Sequence, residues 1–194
     1  GPPPLTVNFD GSGSSDPDSG DHIASYTFKF GDGQSVTQST PTVSHTYNKA
    51  GTYAATLTVT DSHGAQSMNA AEVTITVTAP DLIVSTLKAA NNQAPQGAKI
   101  PITATISNIG QANAGTSHTK FVLDGSTVLG DIATPAISAQ SYVSVQVTWN
   151  TAGVKKGNHT VSATADSRNE VAESDETNNT SAPVTIFIQG NRTK

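Results

Sequence analysis

The sequence contains no cysteine, which excludes disulfide bonds, thiolate metal sites and a cysteine nucleophile. It also has few basic residues: Lys and Arg number 10 against 15 Asp and Glu, for a net charge of −5. Because phosphate contacts require clustered basic residues and these are scattered, we do not expect nucleic acid as a partner. No apolar run approaches the roughly 18 residues that cross a bilayer, so we expect no membrane insertion.

Aromatic residues make up only 5% of the chain, and one of them is tryptophan. Polysaccharide-binding surfaces commonly expose Trp and Tyr, whose rings stack on sugar faces. Trp149 instead alternates in step with Val143, Val145 and Val147, which places it in the predicted core. Tyr142 is the aromatic residue of that segment that we expect on the surface. A ring-lined sugar-binding face is therefore not visible in the sequence.

Motifs of catalysis are also missing. The segment GSGSS at 11–15 matches the nucleophile motif G-x-S-x-G only loosely. The five histidines show no H-x-H or H-x-x-x-H pairing, so no zinc site is expected. Asp32 lies between two glycines in FGDG, where we predict that it ties the loop through its own hydrogen bonds. We predict a protein that is not an enzyme.

The chain is rich in segments where apolar and polar residues alternate, the pattern of a strand with one buried face. Threonine takes many of the outward positions, as a half-solvated sheet prefers. The alternation recurs at Leu5–Phe9, Tyr26–Phe30, Tyr53–Val59, Val73–Val77, Ile100–Ile106, Val143–Trp149, Val161–Ala165 and Val184–Ile188. Turn signals separate these segments, and Asp124-Gly125 is the strongest hairpin signal. We predict an all-β fold.

A break falls at TVTAPDLIV, where Pro80 is incompatible with a central strand position. We therefore expect two β-sandwich domains in tandem, at 1–78 and 82–190, joined by a short linker at 79–81. Both segments have the size of a sandwich domain.

The first half resembles the PKD domain, an immunoglobulin-like β-sandwich. The matching stretches are NFDGSGSSDPDSGDHIASYTFKFGDG and HTYNKAGTYAATLTVTDSHG, within about residues 3–78. One departure is Phe28-Lys29, where family members usually carry Trp-Asp. The resemblance also implies a strand before PLTVNF, where this sequence has only Pro2–Pro4, so we expect that first strand to be missing.

The second half resembles the CARDB family, named for cell-adhesion-related domains in bacteria. The matching stretches are PDLIV, TATISNIGQANAG, VSVQVTWN and ATADSRNEVAESDETNNT, within about residues 80–189. Together the two resemblances imply immunoglobulin-like antiparallel sandwiches that act as extracellular or cell-surface accessory modules of bacteria or archaea, without catalytic activity of their own.

The acids of the first half leave two interpretations open. An EF-hand fails because Thr27 stands where a closing Glu is required. The resemblance to PKD-like domains of collagenases implies calcium held by acids of neighbouring loops, and the matching candidates are Asp16, Asp18, Asp21 and Asp61. Asp is also an ordinary turn residue whose carboxylate bonds nearby backbone amides.

The acids of the second half leave the same choice. A metal ion bridging the loop would use carboxylate and amide oxygens, and the candidates are Asp166, Glu170, Glu173, Glu176 and Asn178. Capping of the loop by the side chains of Asn178 and Asn179 is the alternative. A glycosidase pair would need a cleft with aromatic walls, which so few aromatic residues do not provide. Ca²⁺ is the one cofactor that we expect.

The favoured function is spacing, presentation and adhesion within a larger secreted or surface protein, through protein or polysaccharide contacts. One alternative is a substrate-targeting module of a secreted polysaccharidase or protease. The other is a filament or surface-layer building block, because a missing first strand would leave a sheet edge open to strand exchange. We expect a monomer for the isolated fragment, with self-association through that edge if the strand is absent.

Overall fold

The computed structural model describes residues 1–190, and every regular element in that range is a β-strand. The prediction of an all-β fold is therefore confirmed. The chain divides into two compact units, Gly1–Thr78 and Ala79–Lys194. Within the described range, no helix has the length and apolar character to cross a membrane.

Six strands form the first unit. They are β1 (Leu5–Asp10), β2 (Ile23–Lys29), β3 (Ser35–Gln38), β4 (Thr42–Tyr47), β5 (Gly51–Asp61) and β6 (Ala71–Val77). Strands β1 and β4 form one antiparallel sheet, and the order β3-β2-β5-β6 forms the other. Among the described strands β1 pairs only with β4, so its outer edge is open. The expected self-association through this edge stays a prediction.

Aromatic rings fill the core of the first unit. The alternation at 26–30 buries Tyr26, Phe28 and Phe30, which leave 8%, 3% and 4% of their surface exposed. Phe9 of the facing sheet packs on Phe28 and Phe30, with ring centroids 6.4 and 5.5 Å away. The buried Tyr47 hydroxyl donates to the Phe30 carbonyl at 2.9 Å, so its one polar group is satisfied inside the core.

Within residues 79–190, eight strands form the second unit. They are β7 (Leu82–Ala89), β8 (Gln93–Pro95), β9 (Lys99–Asn108), β10 (Ser117–Leu123), β11 (Thr127–Thr134), β12 (Ser141–Asn150), β13 (Gly157–Thr164) and β14 (Val184–Gln189). One sheet has the order β12-β9-β7 and the other β11-β10-β13-β14-β8. Trp149 is 3% exposed and Tyr142 is 70% exposed, as their positions in the alternation predict.

One pairing departs from the antiparallel sheets that we expected. β8 runs parallel to β14, with Phe187 opposite Gln93 and Gln189 opposite Pro95. The short β8 lies at the edge of the sheet, where the missing N–H of Pro95 costs no central hydrogen bond. A three-residue edge segment carries no alternation, so its direction was not predictable from the sequence.

The hairpin signal at Asp124-Gly125 is confirmed. Asp124 and Gly125 adopt φ values of +47° and +72° between β10 and β11. Leu123 pairs with Thr127, so the connection has three residues, and the Ser126 N–H donates to the Leu123 carbonyl at 3.1 Å. Glycine is suited to this left-handed conformation because it has no Cβ.

Residues 79–81, expected as a linker, are bonded to loops of the second unit. The Ala79 carbonyl accepts from Gln111 N–H at 3.0 Å, and the Asp81 carbonyl accepts from Ile109 N–H at 2.8 Å. Gly110 lies so close that a Cβ there would come within 2.5 Å of the backbone of 79–81. This close approach therefore requires glycine at 110.

Candidate cation-binding loops

Loops of the first unit bring two of the predicted acids together with a histidine. Asp21 precedes β2, Asp61 ends β5 and His63 lies in the turn that follows β5. One ligand atom from each of these three residues lies within 4.8 Å of the others. We call this group the Asp21 cluster.

The carboxylate of Asp21 holds its own loop against the turn after β5. Its Oδ1 accepts from the backbone N–H groups of His22 at 2.7 Å and Ser62 at 3.2 Å, and from the Ser62 hydroxyl. Its Oδ2 lies 2.6 Å from His63 Nδ1. The Ser62 hydroxyl and then His63 lower the pKa of Asp21 far below its ordinary value, and Asp21 in turn raises the pKa of His63. The Asp21 side chain is only 7% exposed, whereas the His63 ring is 79% exposed.

Of the other three predicted acids of this unit, Asp16 and Asp61 shape turns. Asp61 Oδ1 accepts from the His63 N–H at 2.8 Å and the Ala65 N–H at 2.9 Å. Asp16 Oδ1 accepts from the Asp18 N–H at 2.8 Å, and Asp18 itself is exposed. Asp16 and Asp18 are not part of the Asp21 cluster. Sequence reasoning missed His63, although the spacing of Asp61-x-His63 within a turn signal places both side chains at one loop.

Asp32 has the structural role that the sequence predicted. Its Oδ1 accepts from the Gln34 N–H at 3.0 Å and its Oδ2 lies 2.8 Å from His45 Nε2. The His45 ring stacks on Phe30 at 3.9 Å between centroids. Burial alone would raise the pKa of Asp32, but the bonds from Gln34 and His45 leave it below its ordinary value. The carboxylate is thus an ionised tie between its loop and β4.

In the second unit the predicted acids lie in the loop between β13 and β14. Asp166, 5% exposed and at φ +41°, accepts from the Glu170 and Val171 N–H groups at 2.9 Å each. Glu170 Oε2 lies 2.7 Å from His118 Nδ1, and Glu176 Oε1 accepts from the Glu173 N–H at 2.9 Å. Asp166, Glu170 and Glu176 therefore bond the loop backbone or a histidine.

Glu173 is different because its carboxylate turns inward. Its Oε2 accepts from the Leu82 N–H at the start of β7, and its Oε1 accepts from Asn179 Nδ2 at 2.9 Å. Burial raises the pKa of Glu173 to about 7, against an ordinary 4.5, and the charges of Glu176 and Asp166 add to the effect. A carboxylate that is hard to ionise therefore lies next to an amide.

Two neighbouring asparagines complete this arrangement. Asn178 Nδ2 donates to Asp81 Oδ1 at 2.9 Å. The Oδ1 atoms of Asn178 and Asn179 are buried, and neither has a hydrogen-bond donor among residues 1–190. Glu173 and Asn178 were predicted as ligands and Asn179 as a capping side chain; the structure bonds Glu173 to Asn179 and Asn178 to Asp81, which was missed. We call Asp81, Glu173, Asn178 and Asn179 the Glu173 cluster.

The comparisons with known families divide the chain in the same two parts. The CARDB model matches residues 79–183 and the PKD domain model matches residues 3–77. The chain belongs to the CARDB family. Both resemblances drawn from the sequence are confirmed, so the chain is a PKD domain followed by a CARDB domain, the composition of an accessory region.

Curated relatives match the chain over short stretches. Collagenase ColA of Clostridium perfringens is 45% identical over 58 residues, which is 30% of this chain and 5% of the relative. The pre-pro-metalloprotease PrtV of Vibrio cholerae is 53% identical over 47 residues, which is 24% of this chain and 5% of the relative. The chain therefore corresponds to a small part of each of these proteins.

A solved structure matches the second unit in fold. It is the CARDB domain of a Pyrococcus furiosus protein in complex with di-metal ions, with a TM-score of 0.50 and 19% identity. The match covers 57% of this chain and 90% of that domain. At this identity the likeness shows the sandwich fold alone.

Proposed function

We propose that this chain is a non-catalytic extracellular accessory region that spaces and presents neighbouring domains of a larger protein and adheres to a protein or polysaccharide surface. The observation that carries the proposal is the tandem of two accessory-type domains. The small share of the collagenase and the metalloprotease that it matches agrees with this role.

The titratable groups of the chain support a structural role. Four histidines pair with carboxylates at 2.6 to 2.8 Å, and each pair joins segments that are distant in sequence. The carboxylates of Asp16, Asp61 and Asp166 accept backbone N–H groups. Groups used in this way fix loops at the ends of rigid sandwiches, which is what a spacer needs.

We further propose that calcium stabilises the loops of the first unit through the Asp21 cluster. Asp21 and Asp61 would supply carboxylate oxygens, and calcium would compete with His63 for Asp21 because it prefers oxygen ligands. At ten times its dissociation constant, a bound ion would add about 1.4 kcal/mol to the free energy of unfolding.

Thermal unfolding tests the calcium proposal. Calcium should raise the melting temperature of the first unit, EDTA should reverse the rise, and Asp21→Asn should remove it. Asp18→Asn is the control, since Asp18 is exposed and outside the cluster. Indifference of the first unit to calcium and EDTA would retire this part of the proposal.

The collagenase and metalloprotease relatives favour a second candidate, a substrate-targeting module. A pull-down of the whole chain on insoluble collagen, chitin and cellulose separates the two. Retention on one polymer, competed by its soluble fragments, supports targeting. If none of the three polymers retains the chain but cell-surface preparations do, presentation and adhesion are supported. Failure to bind any surface contradicts the adhesive role.

A further inference from the structure

His159 faces an oxygen acceptor with each of its two ring nitrogens. Its Nδ1 lies 2.7 Å from Asp124 Oδ2, and its Nε2 lies 2.9 Å from the Lys155 carbonyl oxygen. Within residues 1–190, the other three paired histidines meet their carboxylates with one ring nitrogen each. The protonation of His159 therefore decides two contacts at once.

Two acceptors that face one imidazole determine how many protons the ring carries. A carboxylate and a carbonyl oxygen have no hydrogen to donate, so both bonds exist only if both ring nitrogens carry one. That is the imidazolium form, because neutral imidazole has hydrogen on a single nitrogen. The bond to Asp124 and then the bond to the Lys155 carbonyl raise the pKa of His159, against the opposing effect of burial.

The two contacts join three segments of the second unit. His159 lies in β13, Asp124 in the hairpin between β10 and β11, and Lys155 in the loop between β12 and β13. The hairpin has further bonds to β13, since Asp124 Oδ1 accepts from the Thr160 N–H and the Asp124 N–H donates to the Thr160 carbonyl, both at 2.8 Å. Within residues 1–190, the donor that reaches the Lys155 carbonyl is the His159 ring. The loop, and not the hairpin, therefore depends on the imidazole.

Asp124 is the charged group that acts on the ring. Burial alone would raise the pKa of Asp124, but the bonds from His159 and from a backbone N–H of β13 leave it below its ordinary value, so it is ionised. Trp149 of β12, with its ring centroid 5.7 Å away, and Ile186 of β14, opposite His159 in the sheet, bring no charge. The lysines at 155 and 156 are exposed, whereas the His159 side chain is 15% exposed.

We propose that His159 is a pH-sensitive lock, which holds the loop between β12 and β13 while its ring is charged and releases that loop when the ring gives its proton to solvent. The Asp124 carboxylate is a stronger acceptor than a carbonyl, so the remaining hydrogen stays on Nδ1. Nε2 then presents a lone pair to the Lys155 carbonyl oxygen, and two acceptors in contact repel each other. The Lys155 peptide turns away from the ring.

This lock goes beyond the proposed accessory role and does not depend on it. Because the pKa of His159 is raised, the contribution of the lock to stability is present below the ordinary 6.5 and is lost as pH rises through the higher folded value. The loop is therefore closed in acidic and neutral solution and open in alkaline solution.

Trp149 fluorescence tests the lock, because this is the chain's single tryptophan and its ring is next to His159. A charged imidazole quenches a neighbouring indole, so the emission should rise between about pH 5 and about pH 9, with a midpoint above 6.5. His159→Gln should abolish this rise. His118→Gln is the matched control: its ring also pairs with a carboxylate, but through one nitrogen, and the rise should stay unchanged.

Heteronuclear NMR of the whole chain reports on the proton and on the loop separately. Below the midpoint both ring nitrogens of His159 should carry hydrogen, and above it Nδ1 alone should. The Lys156 N–H belongs to the peptide whose carbonyl faces the ring, so its signal should shift with the same midpoint. The signal of the Thr160 N–H, which Asp124 accepts, should shift much less.

Asp124→Asn separates the lock from a fixed structural pair. An amide at 124 can donate to Nδ1 of a neutral ring, which then keeps its hydrogen on Nε2 and still donates to the Lys155 carbonyl. The midpoint should therefore fall, since the carboxylate charge is gone, and the Lys156 signal should no longer shift as the ring loses its proton. Asparagine also tolerates the positive φ of this position, +47°.

Two results would overturn the proposal. One is that the His159 ring of the unaltered chain titrates at or below 6.5, or carries hydrogen on one nitrogen alone below its midpoint. The other is that the Lys156 signal stays fixed while the ring titrates. Either would mean that the contact with the Lys155 carbonyl does not depend on the second proton. Both are measured on the unaltered chain, so the lock is tested even if a variant does not fold.

Discussion

The Asp21 cluster and the Glu173 cluster both arise from acid-rich turns that contain Ser, yet they differ in chemistry. Protein donors and an exposed histidine surround Asp21, and its pKa is lowered. Glu173 is partly buried, its pKa is raised, and the Oδ1 atoms of Asn178 and Asn179 meet no donor from residues 1–190. Density of acids in a sequence therefore does not indicate what the acids do. Their burial and their partners decide it.

The largest loss of stability is expected at Gly110, because this glycine lets residues 79–81 approach the loops of the second unit closely. A Cβ at 110 would meet backbone atoms at 2.5 Å, which cannot move aside as a flexible side chain could. We expect Gly110→Ala to lower the free energy of unfolding of the second unit by about 3 kcal/mol.

Urea unfolding monitored through Trp149 fluorescence measures this loss, since the chain's single Trp reports on the second unit. Gly115→Ala is the control, because a Cβ there meets nothing within 4 Å and φ is not positive. Equal effects of the two substitutions would show that the close approach is not needed.

Asp166 should give the next largest effect. Asp166→Asn turns an amide N–H₂ toward one of two backbone N–H groups that the carboxylate now accepts at 2.9 Å. Leaving a buried donor without an acceptor costs about 1 to 3 kcal/mol. Hydrogen exchange of Glu170 and Val171 amides should accelerate accordingly, and unchanged exchange would mean that the loop is held by other contacts.

Glu173 and Asp21 should make the stabilities of their units change with pH in opposite directions. The pKa of Glu173 is about 7 when folded and 4.5 ordinarily, so between these values the folded unit holds a proton that the unfolded chain has lost. The stability of the second unit should therefore fall as pH rises from about 4.5 to about 7. Asp21, with a lowered pKa, acts in the other direction: its contribution is present above its ordinary 3.8 and is lost as pH falls below it.

His63 adds a second window in the first unit. Its raised pKa makes its contribution present below its ordinary 6.5 and lost as pH rises through the higher folded value. Amide exchange of each unit, measured from pH 3 to 8, checks these windows. Glu173→Gln should remove the fall in stability of the second unit between about pH 4.5 and 7 and leave the pH dependence of the first unit unchanged. If the fall persists in this variant, another titrating group causes it.

The smallest change is expected at Glu170, a partly exposed partner of His118. Surface pairs of this kind contribute about 0.5 kcal/mol, so Glu170→Gln should barely alter the melting temperature. A loss as large as that of Asp166→Asn would show that the histidine pair, and not the backbone bonds of Asp166, holds the loop.

Local pattern predicted much of the fold. The alternation of Tyr26, Phe28 and Phe30 specified a buried face, and Asp124-Gly125 specified a hairpin, because both depend on neighbours in sequence. The parallel pairing of β8 with β14 has no such local signal. The sites were less predictable for the same reason: Asn178 meets Asp81 across 97 residues and His63 meets Asp21 across 42. Such meetings follow from topology, which alternation alone does not fix.

Anomalous diffraction from crystals of the whole chain grown with calcium shows whether the acid-rich loops hold ions as well as shape turns. We expect a calcium peak beside the carboxylates of Asp21 and Asp61 in the first unit. A map in which Asp21 keeps its contacts with Ser62 and His63, with no anomalous peak beside it, would contradict the calcium proposal.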